Sequence, residues 1–191
     1  MKFSQDWFTH NTPTFEHIRT SIGSCQRILE IGCFEGRATC WMLSNMLDEH
    51  GFITCIDTFK GSVEHENLRI SNLMDVHRDN YQEVCKKTQT VEVLKGRSTP
   101  MLALLIHENK TYDFIYVDGS HSARDVLTDA CMAWELLKPG GVMLFDDYLW
   151  MDMPNILDRP NMAIDQFVLM FGRELQLVAL GYQLGVQKLP I

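Results

Sequence analysis

Three aspartates in two short stretches carry the strongest chemical signal in the chain. Asp118 stands in Tyr112-Asp-Phe-Ile-Tyr-Val-Asp118-Gly-Ser-His121, and Asp146 with Asp147 close Gly141-Val-Met-Leu-Phe-Asp146-Asp147-Tyr148. Both stretches are continuous apolar runs, the pattern of buried strands, so the carboxylates fall at strand ends. If the two strands are neighbours, their backbones lie about 4.8 Å apart and the carboxylates repel unless something positive sits between them. Three hard oxygen donors suit Mg2+, which prefers octahedral oxygen coordination and keeps positions open for water or substrate. Successive strand residues point to opposite faces, so Asp146 and Asp147 can share an ion only if the strand ends between them. His121 follows Asp118 by three positions, where an imidazole could take a hydroxyl proton near neutral pH. The bland alternatives are solvated acids at strand ends and a histidine capping a helix.

A second group surrounds the first strand. Glu30-Ile31-Gly32-Cys33-Phe34-Glu35-Gly36 leads from a strand into a helix, and glycines there let backbone approach a ligand closely. A nicotinamide-binding turn needs G-x-G-x-x-G, but its second glycine position holds Phe34, and Glu30 adds negative charge. A cationic ligand without phosphate, such as S-adenosylmethionine, fits better. Asp57 ends the next strand, where a carboxylate can accept both hydroxyls of a ribose. Taken singly, Glu30 could cap a helix and Asp57 could open a turn.

The elements that must position these residues alternate. Strand-like runs fall at Arg27–Ile31, Phe52–Asp57, Val91–Lys95, Tyr112–Asp118 and Gly141–Asp146, separated by helix-length segments at Arg37–His50, about Glu64–Lys87, Thr99–Glu108 and Ser122–Leu137. This rhythm predicts an α/β fold with a mainly parallel sheet. After a helix at Ala163–Phe171, the runs Glu174–Leu180 and Tyr182–Leu189 are separated only by Gly181, too short for a crossover, so they form an antiparallel hairpin. Residues 1–24 form an N-terminal helical segment with Asn11 or Thr12 as cap, Pro13 in the first turn and Phe15, Ile18 and Ile22 on one face. Trp7 and Phe8 before it are candidates for a lid, against ordinary docking on the core. Residues 25–191 make up the remaining domain.

Composition narrows the rest. A chain of 191 residues with 46% apolar content and 22% charged residues is one folded domain, not a disordered chain. No apolar run approaches the ~20 residues of a membrane span, and the start lacks an apolar signal segment. With six cysteines and no C-x-x-C pair, the thiols read as reduced packing residues, which places the protein in the cytoplasm. His10, His17, His50, His77 and His107 show no ligand spacing. The net charge of −8 disfavours nucleic acid as a partner.

On these residues the chain resembles the class I S-adenosylmethionine-dependent methyltransferases. Glu30 to Gly36 is similar to their first motif, above all in the catechol and caffeoyl-CoA O-methyltransferases, which also carry an aromatic at the middle glycine. Asp57-Thr58-Phe-Lys-Gly61 with His65 resembles the macrocin-type and cephalosporin-biosynthesis enzymes, and Gly96-Arg97-Ser98 their adenine-side turn. The resemblance implies a Rossmann-like seven-stranded sheet of order 3-2-1-4-5-7-6 with strand seven antiparallel. It implies cofactor contacts from Glu30, Gly32, Phe34, Gly36, Asp57, Thr58, Ser98, Asp118, Gly119 and Ser120, metal ligation by Asp118, Asp146 and Asp147, and a base at His121. Asp147 departs from the catechol-type asparagine, and His121 replaces their lysine as in the macrocin type.

The expected activity is therefore Mg2+-dependent O-methylation of a small hydroxylated acceptor, a sugar, polyketide or catechol. The alternatives are a metal-independent N- or C-methyltransferase and a non-catalytic cofactor-binding subunit. Membrane partners are not expected, and homo-oligomerisation stays open.

Overall fold

The computed structural model describes residues 1–61 and 72–190. His65 and the first part of the helix expected at Glu64–Lys87 lie outside the described residues. Seven strands form one sheet: β1 Cys25–Ile31, β2 Leu47–Asp57, β3 Thr90–Lys95, β4 Tyr112–Val117, β5 Leu137–Phe145, β6 Leu175–Leu180 and β7 Leu184–Lys188. Their order is β3-β2-β1-β4-β5-β7-β6, with β7 antiparallel to both neighbours and the other pairs parallel. The helices are α1 Thr12–Ile22, α2 Arg37–Asn45, α3 Leu73–Val84, α4 Ser98–His107, α5 Ala123–Leu136 and α6 Pro160–Phe171. This is the Rossmann-like architecture, with the hairpin that the single-glycine spacing required.

Continuous apolar strands make sense because both faces are covered. One apolar cluster joins Leu29, Ile115, Met143 and Phe145 to α5 and α6 through Trp134 and Phe167. The other joins Ile28, Phe114, Tyr116 and Leu144 to α2 through Met42 and Leu43, and to α1 through Phe15 and Ile18. Phe15 is fully buried and meets the Tyr116 ring edge-on at 4.9 Å, so α1 contributes directly to the core of this sheet. No helix among the described residues is long and apolar enough to cross a membrane.

Several boundaries differ from expectation. The helix starting at Arg37 ends at Asn45, not His50, because the Met46 N–H closes on Met42 and Leu47 then pairs with Cys25. Asp48 accepts the His50 N–H at 3.1 Å, making a turn there, and Gly51 is needed because a Cβ would lie 2.7 Å from the Leu47 side chain. Gly51 is thus a contact point for Leu47 and not a helix stop. The C-terminal hairpin turns over residues 181–183, where Gly181 N–H bonds to the Gln183 carbonyl.

Candidate active site

The carboxyl ends of β1, β2, β4 and β5 open into a cavity of about 430 Å³. At β1 the turn is dictated by close approach. Gly32 has φ +84°, and a Cβ there would sit 1.9 Å from the Asp118 carbonyl oxygen, so no other residue lets the ends of β1 and β4 come this near. Gly36 has φ +83°, and its missing Cβ would stand 2.7 Å from Cδ2 of His77. Phe34, also left-handed at φ 47°, places its ring 5.5 Å from Trp7, so the N-terminal segment reaches across the cavity wall.

Asp57 fastens this turn. Its Oδ2 accepts the backbone N–H groups of Cys33 at 2.9 Å and Phe34 at 2.8 Å, and its Oδ1 accepts that of Phe59 at 2.6 Å. A carboxylate offers roughly four lone-pair directions, and three are spent here on backbone N–H groups. Glu30 is fully buried. Its Oε2 accepts from Thr39 Oγ1 at 2.5 Å and from Cys55 Sγ at 3.5 Å, while Oε1 has no partner among the described residues. Burial drives the Glu30 carboxyl up to about 8, against the hydrogen bonds from Thr39 and Cys55. Glu30 lines the cavity with its ionisation opposed by burial, a weaker attraction for a cation than its formal charge suggests.

Thr58, Ser98, Gly119 and Ser120 also line the cavity. Ser98, the first residue of α4, hydrogen-bonds through its side chain to Asp129 of α5, a buried acid that burial lifts to about 6. Asp129 escaped the sequence reading, although an acid among Val126, Ala130 and Ala133 on the buried face of α5 was a usable signal. Ser120 Oγ donates to Asp125 at 3.1 Å and accepts the Ser122 N–H at 3.2 Å, which shapes the turn into α5.

At the other side, β4 and β5 end at Val117 and Phe145, so Asp118 and Asp146 follow directly. Asp146 N–H bonds to the Val117 carbonyl, after which Asp147 adopts φ 56° and the strand is broken. The condition for Asp146 and Asp147 to face one site is met in backbone terms, but their carboxylates do different things. Asp146 Oδ2 accepts from the Asn11 amide at 2.8 Å and from the Tyr116 hydroxyl, and its Oδ1 accepts the Asp147 N–H at 2.9 Å. Asp147 Oδ2 instead lies 2.7 Å from His121 Nε2, and its Oδ1 accepts from the Tyr182 hydroxyl at 2.8 Å.

The donor atoms that converge within 4.8 Å of one another are those of Asp118, His121 and Asp147. Asp146, expected in the ligand set, lines the same cavity, and its carboxylate is bonded to Asn11 and Tyr116. Burial, and then the charges of Asp146 and Asp147, push the Asp118 carboxyl well above its usual range. Burial and Asp147 likewise lift Asp146 to about 6. The His121 ring lies 4.5 Å from that of Trp150, giving the cavity an aromatic wall on this side. Asn11, Tyr116 and Tyr182 were not foreseen here. Asn11 read as a helix cap, yet its side chain makes no cap bond.

A sheet of this order, with its cavity at the carboxyl ends of the strands and a glycine turn between β1 and α2, is the fold of the class I methyltransferases. Residues 29–148 match the family described as "Methyltransferase domain", and the chain belongs to it. It is 33% identical over 86 residues to "Caffeoyl-CoA O-methyltransferase 2" of Populus trichocarpa, a match covering 40% of this chain and 34% of that protein. The chain spans half or less of the length of the curated relatives it matches, 50% and 34%. Among solved structures, the O-methyltransferase from Bacillus cereus in complex with SAH superposes with a TM-score of 0.70 at 19% identity, over 97% of this chain and 84% of that one. MycE of the mycinamycin biosynthetic pathway, in complex with Mg and SAH, gives 0.64 at 17% identity, over 99% of this chain and 51% of that one.

Proposed function

We propose that this protein transfers the methyl group of S-adenosylmethionine to a hydroxyl oxygen of a small acceptor, with Mg2+ held beside the reacting oxygen. The observation that carries the reading is the 2.7 Å contact between His121 Nε2 and Asp147 Oδ2 on the cavity wall, with an Asp118 oxygen close to both. Glu30, Gly32, Phe34, Gly36, Asp57, Thr58, Ser98, Gly119 and Ser120 would form the cofactor side. Asp118 and Asp147 would hold the cation, and Asp146 would stand behind them, fixed by Asn11 and Tyr116.

The residues fit a divalent cation. Burial first, and then the charges of Asp146 and Asp147, raise the Asp118 carboxyl, and a cation between the partly buried carboxylates of Asp118 and Asp147 would offset that cost. Bound there, Mg2+ would lower the pKa of the acceptor hydroxyl and screen the developing oxyanion. His121 is oriented by Asp147 to take the hydroxyl proton, and Trp150 fixes the plane of its ring. The O–CH3 bond forms as the S–CH3 bond breaks, and the proton leaves on His121. Most of the acceleration comes from holding acceptor and methyl donor in line.

The aromatic wall of Trp7, Phe34, Trp150 and Tyr182 suits an apolar or planar acceptor, and cation chelation favours one with vicinal oxygens. A sugar or polyketide diol and a catechol both answer. The O-methyltransferases among the relatives and the magnesium in the MycE structure support this reading. A second reading is favoured by the same contact: His121 and Asp147 could act as a metal-free base pair, with Asp147 engaged by His121 and Tyr182. A mass-spectrometric screen of hydroxylated acceptors with S-adenosylmethionine, run with Mg2+ and with chelator, tests both. Methylated product only with Mg2+ supports the first reading, product in both supports the second, and none in either overturns methyl transfer to oxygen.

A further inference from the structure

Behind the glycine turn lies a second cluster, of which the proposed methyl transfer uses only Glu30. Glu30 and Cys55 are directly paired residues of β1 and β2, Cys33 sits in the turn after β1, and His77 reaches in from α3. One donor atom from each lies within 4.8 Å of the others. All four residues are buried, with relative exposures of 0%, 0%, 5% and 0% in that order. The sequence spacing hid them, because the ligand types come from three separate segments.

We propose that Glu30, Cys33, Cys55 and His77 form a closed binding site for Zn2+. Two thiolates, an imidazole and a carboxylate are the donors of a tetrahedral zinc site. Metal–sulfur bonds of about 2.3 Å and metal–oxygen bonds of about 2.0 Å at tetrahedral angles put adjacent S and O donors about 3.5 Å apart. Cys55 Sγ and Glu30 Oε2 are separated by 3.5 Å.

An independent observation points the same way. Glu30 Oε1 and His77 Nδ1 are buried with no hydrogen-bond partner among the described residues. Leaving such groups unpaired is costly, and native interiors rarely do so. The other ring nitrogen, Nε2, lies 3.2 Å from Thr39 Oγ1, whose hydroxyl also donates to Glu30. Such a hydroxyl orients two ligands from behind, as outer partners do in metal sites. Gly36 belongs to the same arrangement, since its absent Cβ is what admits the His77 ring.

Four protein ligands leave no open position, so the ion would be structural. It would tie the cofactor turn, through Cys33, to both strands and to α3. The ion at Asp118 and Asp147 is a separate matter: that set is oxygen-rich and faces the cavity, and neither site depends on the other.

The test measures zinc by elemental mass spectrometry in the full chain, expressed with zinc and dialysed against EDTA. About one zinc per chain is expected, falling at least tenfold in the Cys33→Ser/Cys55→Ser double variant and unchanged in Asp147→Asn. Cobalt(II) added to metal-free wild-type protein should give a thiolate-to-cobalt charge-transfer band, which decides the matter even if the double variant does not fold. Wild-type protein that retains only trace zinc and shows no such band would overturn the site, leaving four neutral packed side chains. Zinc lost in Asp147→Asn but kept in the double cysteine variant would overturn it too.

Discussion

The side-chain amide of Asn11 donates to Asp146 Oδ2 at 2.8 Å, joining residues 135 positions apart at the mouth of the sheet. The Tyr116 hydroxyl donates to the same oxygen, so Asp146 is held by two donors from distant segments. Asn11→Ala leaves a buried carboxylate short of a donor, at a cost of about 1–3 kcal/mol in stability. Denaturant unfolding measures that loss, and methyl transfer should fall with it as Asp146 is released. An Asn11→Ala protein matching wild type in both would show that the bond positions nothing.

His121→Ala should lower turnover by about 10²-fold or more at neutral pH while leaving S-adenosylmethionine affinity within a few-fold, since a positioned base acts on the acceptor proton and not on the cofactor. Single-turnover rates and equilibrium binding separate the two. An unchanged rate removes His121 from the base role.

Dialysis against chelator should abolish turnover, and added Mg2+ should restore it, with Asp118→Asn needing more Mg2+ than wild type. Carboxylate-to-amide exchange removes one formal charge from the cation's surroundings and weakens its hold. Titration of rate against Mg2+ concentration provides the measurement. Full activity in chelator selects the metal-free pair of His121 and Asp147.

The two glycines of the cofactor turn should respond differently. Gly32→Ala directs its Cβ into the Asp118 carbonyl, 1.9 Å away, at φ +84°, so backbone must move. A loss of more than about 3 kcal/mol is expected. Gly36→Ala meets only the His77 ring. Its destabilisation should be partly relieved in the Gly36→Ala/His77→Ala double variant, and a double-mutant cycle by denaturant unfolding reads that coupling. Strict additivity would deny the contact.

In metal-free protein, Glu30 should make stability fall as pH rises. Its folded pKa of about 8 lies above the ordinary 4.5, so between those values the native state holds a proton that the unfolded state has lost. The slope from this group is about −1.4 kcal/mol per pH unit at most. His77, depressed to about 4 by burial, acts oppositely between 4 and 6.5, so the Glu30 effect shows most clearly from 6.5 to 8. Glu30→Gln keeps an acceptor for Thr39 and should flatten that range in pH-dependent unfolding. Parallel curves for the two proteins would mean that Glu30 is ionised in the fold.

The strand–helix alternation and the terminal hairpin were legible because their signals are local: apolar runs, glycine stops and a connection too short to cross over; the strand order came from the resemblance of the motifs. The same locality explains the misread end of α2, where Leu47 leaves the helix to pair with Cys25. The positions of Asp118, Asp146 and Asp147 at strand ends were legible too, since they directly follow apolar runs. The partners of those carboxylates were not, because Asn11, Tyr116 and Tyr182 reach them from distant segments and carry no spacing signal.

The sequence by itself determined the alternating α/β elements, the terminal hairpin and the carboxylates at strand ends, because alternation and strand-end position are properties of neighbouring residues, and motif resemblance supplied the class I methyltransferase architecture. Only the tertiary structure decided what each carboxylate does. It gave Asp147 to His121, Asp146 to Asn11 and Tyr116, and Asp57 to the backbone of the cofactor turn. It also brought His77 of α3 against Glu30, Cys33 and Cys55, four residues that their spacing had left unrelated. Hydrogen bonding and burial depend on which groups meet in space, and a chain folded through seven strands brings together residues that sequence order keeps far apart.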